Sequence, residues 1–496
     1  MSSLHPDDPD ATGLALPALG RPAEDLPPAA EPDRLSPLLT GSVGRALLGL
    51  AVPVLAEQIL NTLVGITDIF LARFVGPRAT VAVGMAAQFG WLIGILFGLV
   101  GTAATALVAR SFGQRAYAQA GHVANQAIGI ALGMGVVFSL GVLAVAPRIP
   151  PLFGLESDAV PLAVRYVRID AVGHLLSGVL FVGSACLRGA GDTRSPLGVM
   201  IIVNACNIAV SAVLTLGLGG VPTLGVAGIA AGTAVARLMG GGLILLTLAR
   251  GRASGPAASI DSAARLRLDR RHLRPRPETF RRLMRIGLPA GLDGLAIWLG
   301  QLLFVKIINA LAKGDLQTDI YAAHIIGIRI ESLSYLPSFA WATAAATMVG
   351  QSLGAGRPDR AYRSGQLAAR QAATLTFLLG LTYTLLAPQW YRLFTDSARV
   401  IAIGTPALRL LGLFQIPCAL MIVYVGALRG AGDTRFPLLF SLVGMVVVRL
   451  PLAYLGGHVL GWGLPGAWIG MFADMTARAG LGMWRFMQGG WKRVRV

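Results

Sequence analysis

Long apolar stretches alternate with short polar ones from Arg45 almost to the end of the chain. Each apolar stretch is close to the ~20 residues that an α-helix needs to cross a bilayer. The pattern therefore predicts an all-α polytopic membrane protein with twelve transmembrane helices. Their predicted ranges are 46–73, 79–108, 122–146, 160–186, 196–219, 223–249, 283–311, 318–349, 363–387, 400–427, 437–457 and 464–487.

The composition supports this class and argues against several others. Of the 496 residues, 54% are hydrophobic and 13% are charged, whereas a soluble domain carries roughly 25% charged residues. The three cysteines lie inside apolar stretches without CxxC spacing, which predicts buried thiols and neither a metal site nor disulfides. No HExxH motif or histidine cluster occurs in the sequence, so we expect no enzyme, no metal and no cofactor.

Basic residues are distributed unevenly among the loops. Alternate loops are rich in them, and residues 250–285 alone contain eleven arginines. An excess of arginine and lysine marks the cytoplasmic side of a membrane protein. We therefore expect both termini in the cytoplasm and the chain in the cytoplasmic (inner) membrane. The net charge of +18 is spread over short loops, which argues against a nucleic-acid partner.

One phrase occurs twice in the chain. Residues 187–194 read LRGAGDTR, and the same eight letters return at 428–435, which is 241 residues later. The same offset relates Gly113 to Gly354. Two copies of six helices each must cross the membrane in the same sense. The sequence thus predicts two six-helix lobes related by a pseudo-two-fold axis along the membrane normal.

The predicted domain boundaries follow from changes in composition. Residues 1–40 are rich in proline and acidic residues and poor in large apolar ones, which favours a disordered cytoplasmic tail. The N-lobe is expected at 41–250 and the C-lobe at 282–488. Between them, 251–281 form a basic cytoplasmic linker that we expect to contact lipid headgroups, and 489–496 form a second cytoplasmic tail.

The repeated phrase has the chemistry of a turn between two helices. Its glycines permit the left-handed backbone at which a helix stops, and Asp192 can cap the helix that follows. Arg188 lies at the negative end of the incoming helix. A phosphate-binding loop is disfavoured, because the third glycine of that fingerprint and a preceding strand are missing.

Together these features resemble one known family. The pattern RGxGDxxxP in both halves, Asp68 in the run VGITD fifteen residues after Pro53, and the run MVGQSLGAG at 348–356 are similar to the MATE family of multidrug and toxic compound extrusion transporters. The run RIES at 329–332 resembles the bacterial DinF-like branch. The resemblance implies a twelve-helix MATE/MOP-type fold and the export of organic, often cationic compounds in exchange for protons or sodium.

Polar residues on the first predicted helix form a candidate ion-coupling site. Glu57 and Asp68 are eleven residues apart, close to three helical turns, and Asn61 lies on the same stripe. We expect this stripe to face inward, because a carboxylate in a membrane is costly unless it meets a partner or water. The resemblance makes Asp68 the N-lobe acid that takes up the coupling ion. The alternative is a carboxylate paired with a neighbouring helix.

The resemblance also implies that the fifth and sixth helices complete this site. Asn207 and Thr233 match residues of the family, whereas Ser211 stands where an aspartate is usual. Sodium prefers several oxygen ligands and more than one negative charge. One carboxylate with an amide and two hydroxyls therefore favours a proton over sodium as the coupling ion.

The C-lobe offers a second group of candidates for substrate or proton binding. Glu331 lies near the middle of the eighth predicted helix, with His324 seven residues before it and Tyr335 four after it on one face. Glu331 could attract a cationic substrate or carry a second proton. The alternative is an ion pair with an arginine on a neighbouring span, such as Arg449.

Two further carboxylates have partners or mates in the sequence. Asp293 follows a proline by four residues, as Glu57 does, so these two are repeat mates with either a packing or a substrate-binding role. Asp474 and Arg478 are four residues apart on one helix, which predicts an ion pair.

The function expected from the resemblance is secondary active antiport by alternating access. The substrates would be cationic or amphipathic drugs, toxins or metabolites, and the partners would be these small molecules and membrane lipids around a monomer. The alternative is a flippase for a lipid-linked or amphipathic substrate of the same superfamily, which would require a strongly cationic cleft.

Overall fold

The computed structural model describes residues 36–155, 158–251 and 265–494, and these contain helices but no strand. Most of the predicted disordered tail and the first half of the predicted linker, residues 252–264, lie outside the described residues. The tail's last residues form a short helix, α1 (Pro37–Thr40), whose backbone carbonyls accept hydrogen bonds from Arg357 and Arg360.

Six long helices and one single turn build the N-lobe. Their core forms where α6 packs against α3, α4 and α8. The N-lobe elements are α2 (Val43–Val75), α3 (Pro77–Gly113), α4 (Tyr117–Val145), α5 (Ile149–Leu152), α6 (Val160–Gly189), α7 (Arg194–Leu216) and α8 (Val226–Ala249).

The C-lobe repeats this plan with more interruptions. Its elements are α9 (Pro277–Asn309), α10 (Asp315–Gly354), α11 (Pro358–Leu385), α12 (Ala387–Arg392), α13 (Ala398–Leu413), α14 (Gln415–Gly430), α15 (Arg435–Leu442), α16 (Leu450–Tyr454) and α17 (Gly463–Gln488). A π-helical stretch, Val443–Arg449, joins α15 to α16, and a second one, Leu455–Val459, completes that span.

The prediction of twelve spans is confirmed. Eight helices of the described chain are long and apolar enough to cross a membrane, and α13 with α14 forms a ninth span bent by 55°. The comparably long α10, α11 and α17 complete the twelve. The bend has a local cause, because in an unbroken helix the ring of Pro417 would clash with the carbonyl of Leu413, and α13 ends at Leu413.

The first helix of the N-lobe packs into both lobes. Near its start, Leu47 and Leu50 belong to the hydrophobic core of the C-lobe. Near its end, Leu71 and Ala72 belong to a core of the N-lobe. The middle of α2, residues 55–67, contains no buried residue. This helix therefore crosses the gap between the lobes.

The first helix of the C-lobe does the same in the opposite direction. Leu283 and Ile286 of α9 pack in the core of the N-lobe, whereas Phe304 and Ile308 pack in the core of the C-lobe. The sequence-based boundaries assign each helix to one lobe, but the packing divides both α2 and α9 between the two.

Both repeated turns lie at the same end of the bundle, which we call the arginine-rich end. In each copy a glycine has left-handed backbone, Gly191 with φ 92° and Gly432 with φ 89°. Asp192 accepts hydrogen bonds from the backbone N–H groups of Arg194 at 3.2 Å and Ser195 at 3.0 Å. The turn thus stops one helix and caps the next, as the sequence predicts.

The lobes are sealed together at the arginine-rich end. There α3 and α10 cross at the repeat mates Gly113 and Gly354, where a Cβ on Gly354 would come within 2.1 Å of the Arg110 carbonyl oxygen. Two hydrogen bonds join the lobes beside this crossing: Thr347 donates to the Arg188 carbonyl at 3.0 Å, and Gln351 donates to the Gly189 carbonyl at 2.9 Å. The close approach requires glycine at the crossing.

A central cavity of about 670 Å³ lies between the lobes. It extends from Arg188 and Arg429, next to the seal, to Gln88 and Trp91 further along α3. Both lobes line it, as expected for a bundle of two repeats that places its substrate at their interface.

Candidate functional site

The predicted N-lobe site is assembled around Asp68. This carboxylate on α2 is 6% exposed. It accepts a hydrogen bond from the hydroxyl of Thr233 on α8 at 2.9 Å and a longer one from the hydroxyl of Tyr166 on α6 at 3.4 Å. Both donors are neutral groups. Among the described residues, no arginine, lysine or histidine nitrogen lies within 4 Å of this carboxylate.

Asn207 and Ser211 form the outer part of the same cluster. Asn207 donates to Thr233 at 3.0 Å and approaches the Ser211 hydroxyl at 3.5 Å, and both side chains are fully buried. The side-chain oxygen of Asn207 has no hydrogen-bond partner in the described part of the chain. The four residues that the sequence singles out are therefore brought together, with an unused buried acceptor beside the acid.

Tyr166 also contacts Asp68. It was not singled out from the sequence, although its spacing from Asp170 could have indicated it. Tyr166 precedes Asp170 by four residues on α6, so both side chains point to the same face of that helix. Asp170 in turn binds Arg237 of α8 at 2.5 Å and lies 3.6 Å from His174. Arg237 is thus bound by Asp170, and the hydrogen bonds that Asp68 accepts come from neutral hydroxyl groups.

Glu57 lies apart from Asp68, although the two share a helix. Its carboxylate binds Arg188 of the repeated phrase at 2.7 Å. Asp293 makes the equivalent ion pair with Arg429, the arginine of the second copy. These repeat mates therefore serve as paired supports of the two turns at the floor of the cavity.

Asn61 is not part of the candidate site. Its side chain is exposed, and it does not line the central cavity. The predicted inward stripe of α2 fails at this position, because the middle of this helix crosses the gap between the lobes and leaves the Asn61 side chain exposed.

In the C-lobe, Glu331 is buried and lines the cavity. It accepts a hydrogen bond from Tyr335 at 2.7 Å, as their spacing on α10 predicts. The alternative partner proposed from sequence is wrong, because Arg449 binds Asp474 at 2.8 Å. Within the described ranges, no basic nitrogen lies within 4 Å of the Glu331 carboxylate.

His324 is fully buried between aromatic rings. Its Nδ1 accepts a hydrogen bond from the indole N–H of Trp468 at 3.1 Å, and the ring of Phe304 lies edge-on at 5.7 Å. An accepting Nδ1 places the proton of the neutral ring on Nε2. His324 lines the cavity, but its fixed tautomer indicates a packed, hydrogen-bonded wall residue.

The two walls of the cavity differ in chemistry. Residues from α3 and α6 form an apolar and aromatic wall that includes Trp91, Phe97 and Phe181. The C-lobe wall carries most of the charged groups, among them Glu331 and Arg449, whereas the charged residue of the N-lobe wall is Arg188 of α6. No cluster of three or more histidine, cysteine, aspartate or glutamate side chains suited to a metal ion occurs in the described chain.

Comparisons with known proteins agree with this architecture. A family model described as MatE matches residues 53–213 and 289–455. A Thermotoga maritima protein named "Probable multidrug resistance protein NorM" is 29% identical over 462 residues, covering 92% of this chain and 94% of that protein. A protein of the same name from Deinococcus radiodurans is 30% identical over 459 residues, covering 88% of this chain and 94% of that protein. The solved structure of a MOP superfamily transporter from Pyrococcus furiosus has a TM-score of 0.82 at 24% identity, covering 92% of this chain and 98% of that one.

Proposed function

The chain belongs to the MatE family, and from this premise we propose that it is an antiporter that exports cationic or amphipathic organic molecules in exchange for protons. The single observation that supports proton coupling is the buried environment of the Asp68 carboxylate. A buried carboxylate inside a membrane protein usually marks an ion or proton pathway.

The neutral partners of Asp68 suit a group that gains and loses a proton. A hydroxyl can donate to a carboxylate and can also accept from a carboxylic acid. Thr233 and Tyr166 can therefore serve both states, and the free oxygen of Asn207 offers a further acceptor for an acid proton. A guanidinium partner would instead favour the charged state alone.

Sodium is the second candidate for the coupling ion, and the same Asn207 oxygen favours it. An unpartnered carbonyl oxygen beside a carboxylate is the type of ligand that a hard cation uses. Against sodium, Ser211 supplies a neutral hydroxyl, so the cluster around Asp68 contains one carboxylate in the described structure.

We propose that the arginine-rich end faces the cytoplasm and that the structure is outward-facing. The excess of basic residues supports this orientation. The crossing of α3 and α10 closes the same end. Substrate in the cavity would then leave to the outside, and the lobes would rock to open the arginine-rich end.

Transport by the purified protein in liposomes tests the proposal. We expect ethidium export to follow an imposed pH gradient and to be independent of a sodium gradient. Asp68→Asn removes the titratable group, so its transport should fall to the rate of protein-free liposomes. The matched control is Asp158→Asn, an exposed aspartate bound to Arg78 at 2.8 Å, which should transport like the unmodified protein. Proton-driven export that survives Asp68→Asn would refute the mechanism.

The flippase alternative is less well supported, because most cavity arginines are neutralised. Arg188 and Arg429 each bind one carboxylate, Glu57 and Asp293. The cavity therefore lacks the strongly cationic surface that a lipid pyrophosphate requires. Scrambling of a fluorescent lipid in the same liposomes, without ethidium export, would favour the flippase over the antiporter.

A further inference from the structure

The C-lobe wall of the cavity contains one cluster that the transport mechanism does not use. Asp474 of α17 is bound by two arginines, Arg449 and Arg478, at 2.8 and 2.6 Å. Arg449 also donates to Gln301 of α9 at 3.2 Å. We call Arg449, Asp474 and Arg478 the arginine triad. The side chains of Arg449, Asp474 and Arg478 are 5%, 0% and 6% exposed, and both arginines line the cavity.

The fold contains two specific features that bring the triad together. The backbone that leads to Arg449 is π-helical from Val443 to Arg449, and short π segments inside helices are frequent at functional sites. Gly444 of this segment faces the triad, since a Cβ there would come within 2.1 Å of the Asp474 carboxylate and 2.8 Å of the Arg478 chain. The cluster is thus a built site and not an incidental pairing of helices.

The triad carries one positive charge more than its acid can neutralise. The other two cavity arginines, Arg188 and Arg429, have one carboxylate each. In the triad, two guanidinium groups share Asp474. Arg478 uses Nε and Nη2 for this carboxylate, which leaves its Nη1 available to a further acceptor.

A buried guanidinium without a carboxylate of its own is expected to bind an anion. Burying a charge is costly unless it is paired and hydrogen-bonded. Guanidinium groups bind carboxylates through two parallel N–H bonds, which adds geometric specificity. The neighbouring Glu331 does not lie within 4 Å of either arginine among the groups described, so a carboxylate from a ligand is the natural partner.

We propose that the arginine triad is the subsite for the carboxylate of an amphipathic aromatic substrate. The aromatic body of this substrate would lie against Trp91 and Phe181 on the facing wall, and Glu331 would receive an amine if the molecule is a zwitterion. The proposal rests on the proposed function, since it names the chemical class of molecule that the antiporter carries.

Equilibrium binding of a matched dye pair tests this subsite. Rhodamine 123 is the methyl ester of rhodamine 110, so the two probes differ in one carboxylate. Fluorescence anisotropy with the purified full-length protein, at one pH and without any gradient, gives both affinities. We expect rhodamine 110 to bind about tenfold more tightly, in line with a hydrogen bond to a charged group. Equal affinities, or tighter binding of the ester, would overturn the proposal.

Two variants place the effect at the triad. Arg478→Gln leaves the neutral pair of Arg449 and Asp474, so the preference for rhodamine 110 should disappear. Arg329→Gln is the matched control, because Arg329 lies on α10, is exposed and does not line the cavity; it should keep the preference. A preference that persists in Arg478→Gln contradicts the assignment.

A measurement on the unmodified protein removes the dependence on variant folding. Benzoate should displace rhodamine 110 but not rhodamine 123, and displacement of neither or of both would count against the triad. The predicted preference for rhodamine 110 does not depend on proton coupling. It can therefore be absent while Asp68-dependent ethidium export is present, and it can be present if that export is absent.

Discussion

At the scale of single residues, the buried carboxylates of this chain differ in the charge of their partners. Asp293 and Glu57 bind arginines of the repeated phrase, whereas Asp68 is held by hydroxyls. The first kind fixes a turn in place, whereas the second kind has no cationic partner within 4 Å in the described structure. The proposed role of Asp68 in proton coupling rests on this difference in partner and not on depth.

Neutralising a paired carboxylate should therefore reduce stability. Asp293→Asn leaves Arg429 without its counter-ion beside the cavity, at an expected cost of about 1–3 kcal/mol in the free energy of unfolding. Thermal unfolding of the purified protein, followed by tryptophan fluorescence, measures the loss. Asp158→Asn breaks an exposed pair, which is worth about 0–1 kcal/mol. Equal melting temperatures for the two variants would contradict the supporting role of Asp293.

The sequence predicts residue contacts well where they are local. The pairs Glu331 with Tyr335 and Asp474 with Arg478 follow from four-residue spacing on one helix, and both are present. Arg449, considered from sequence as an alternative partner of Glu331, binds Asp474 instead. Its partner depends on how the span containing it is rotated against α10 and α17, and no periodicity within one helix specifies that rotation.

At the scale of elements, apolar length and repeated letters were sufficient for the twelve spans and the two turns. They were insufficient for the packing of α2 and α9, because a helix that crosses between two cores has the same composition as one that stays in a single core. The 241-residue offset that relates Gly113 to Gly354 has a counterpart in the packing of the two lobes. These mates meet at the pseudo-two-fold axis, where α3 and α10 cross.

The crossing of α3 and α10 yields a prediction about closure. Gly354→Leu places a side chain against the Arg110 carbonyl, so the arginine-rich ends of the lobes should move apart. Spin labels at the exposed repeat mates Arg194 and Arg435, in a background without native cysteines, report this distance. We expect a longer distance in Gly354→Leu. Gly198→Leu on α7, where no atom lies within 4 Å of a new Cβ, should leave it unchanged, and no difference between the variants would show that the crossing is not the seal.

At the scale of the whole molecule, α2 connects the proposed proton site to the opposite lobe. Asp68 lies near the end of α2 that packs in the N-lobe, whereas Leu47 and Leu50 at its other end pack in the C-lobe. In the proposed mechanism, a change of charge at Asp68 would alter the contacts of α2 with the N-lobe and, through the same helix, its contacts with the C-lobe. The proposed coupling therefore needs no chain of intermediate side chains between the lobes.

This connection predicts a pH-dependent distance between the same two spin labels. Acidification should protonate Asp68 and shift the population towards the state that is open at the arginine-rich end, so the distance between positions 194 and 435 should lengthen. Asp68→Asn mimics the protonated group permanently, and its distance distribution should be the same at every pH. If Asp68→Asn kept the pH response of the unmodified protein, another group would control the lobes, and Glu331, the cavity acid held by a tyrosine, would be the next residue to replace.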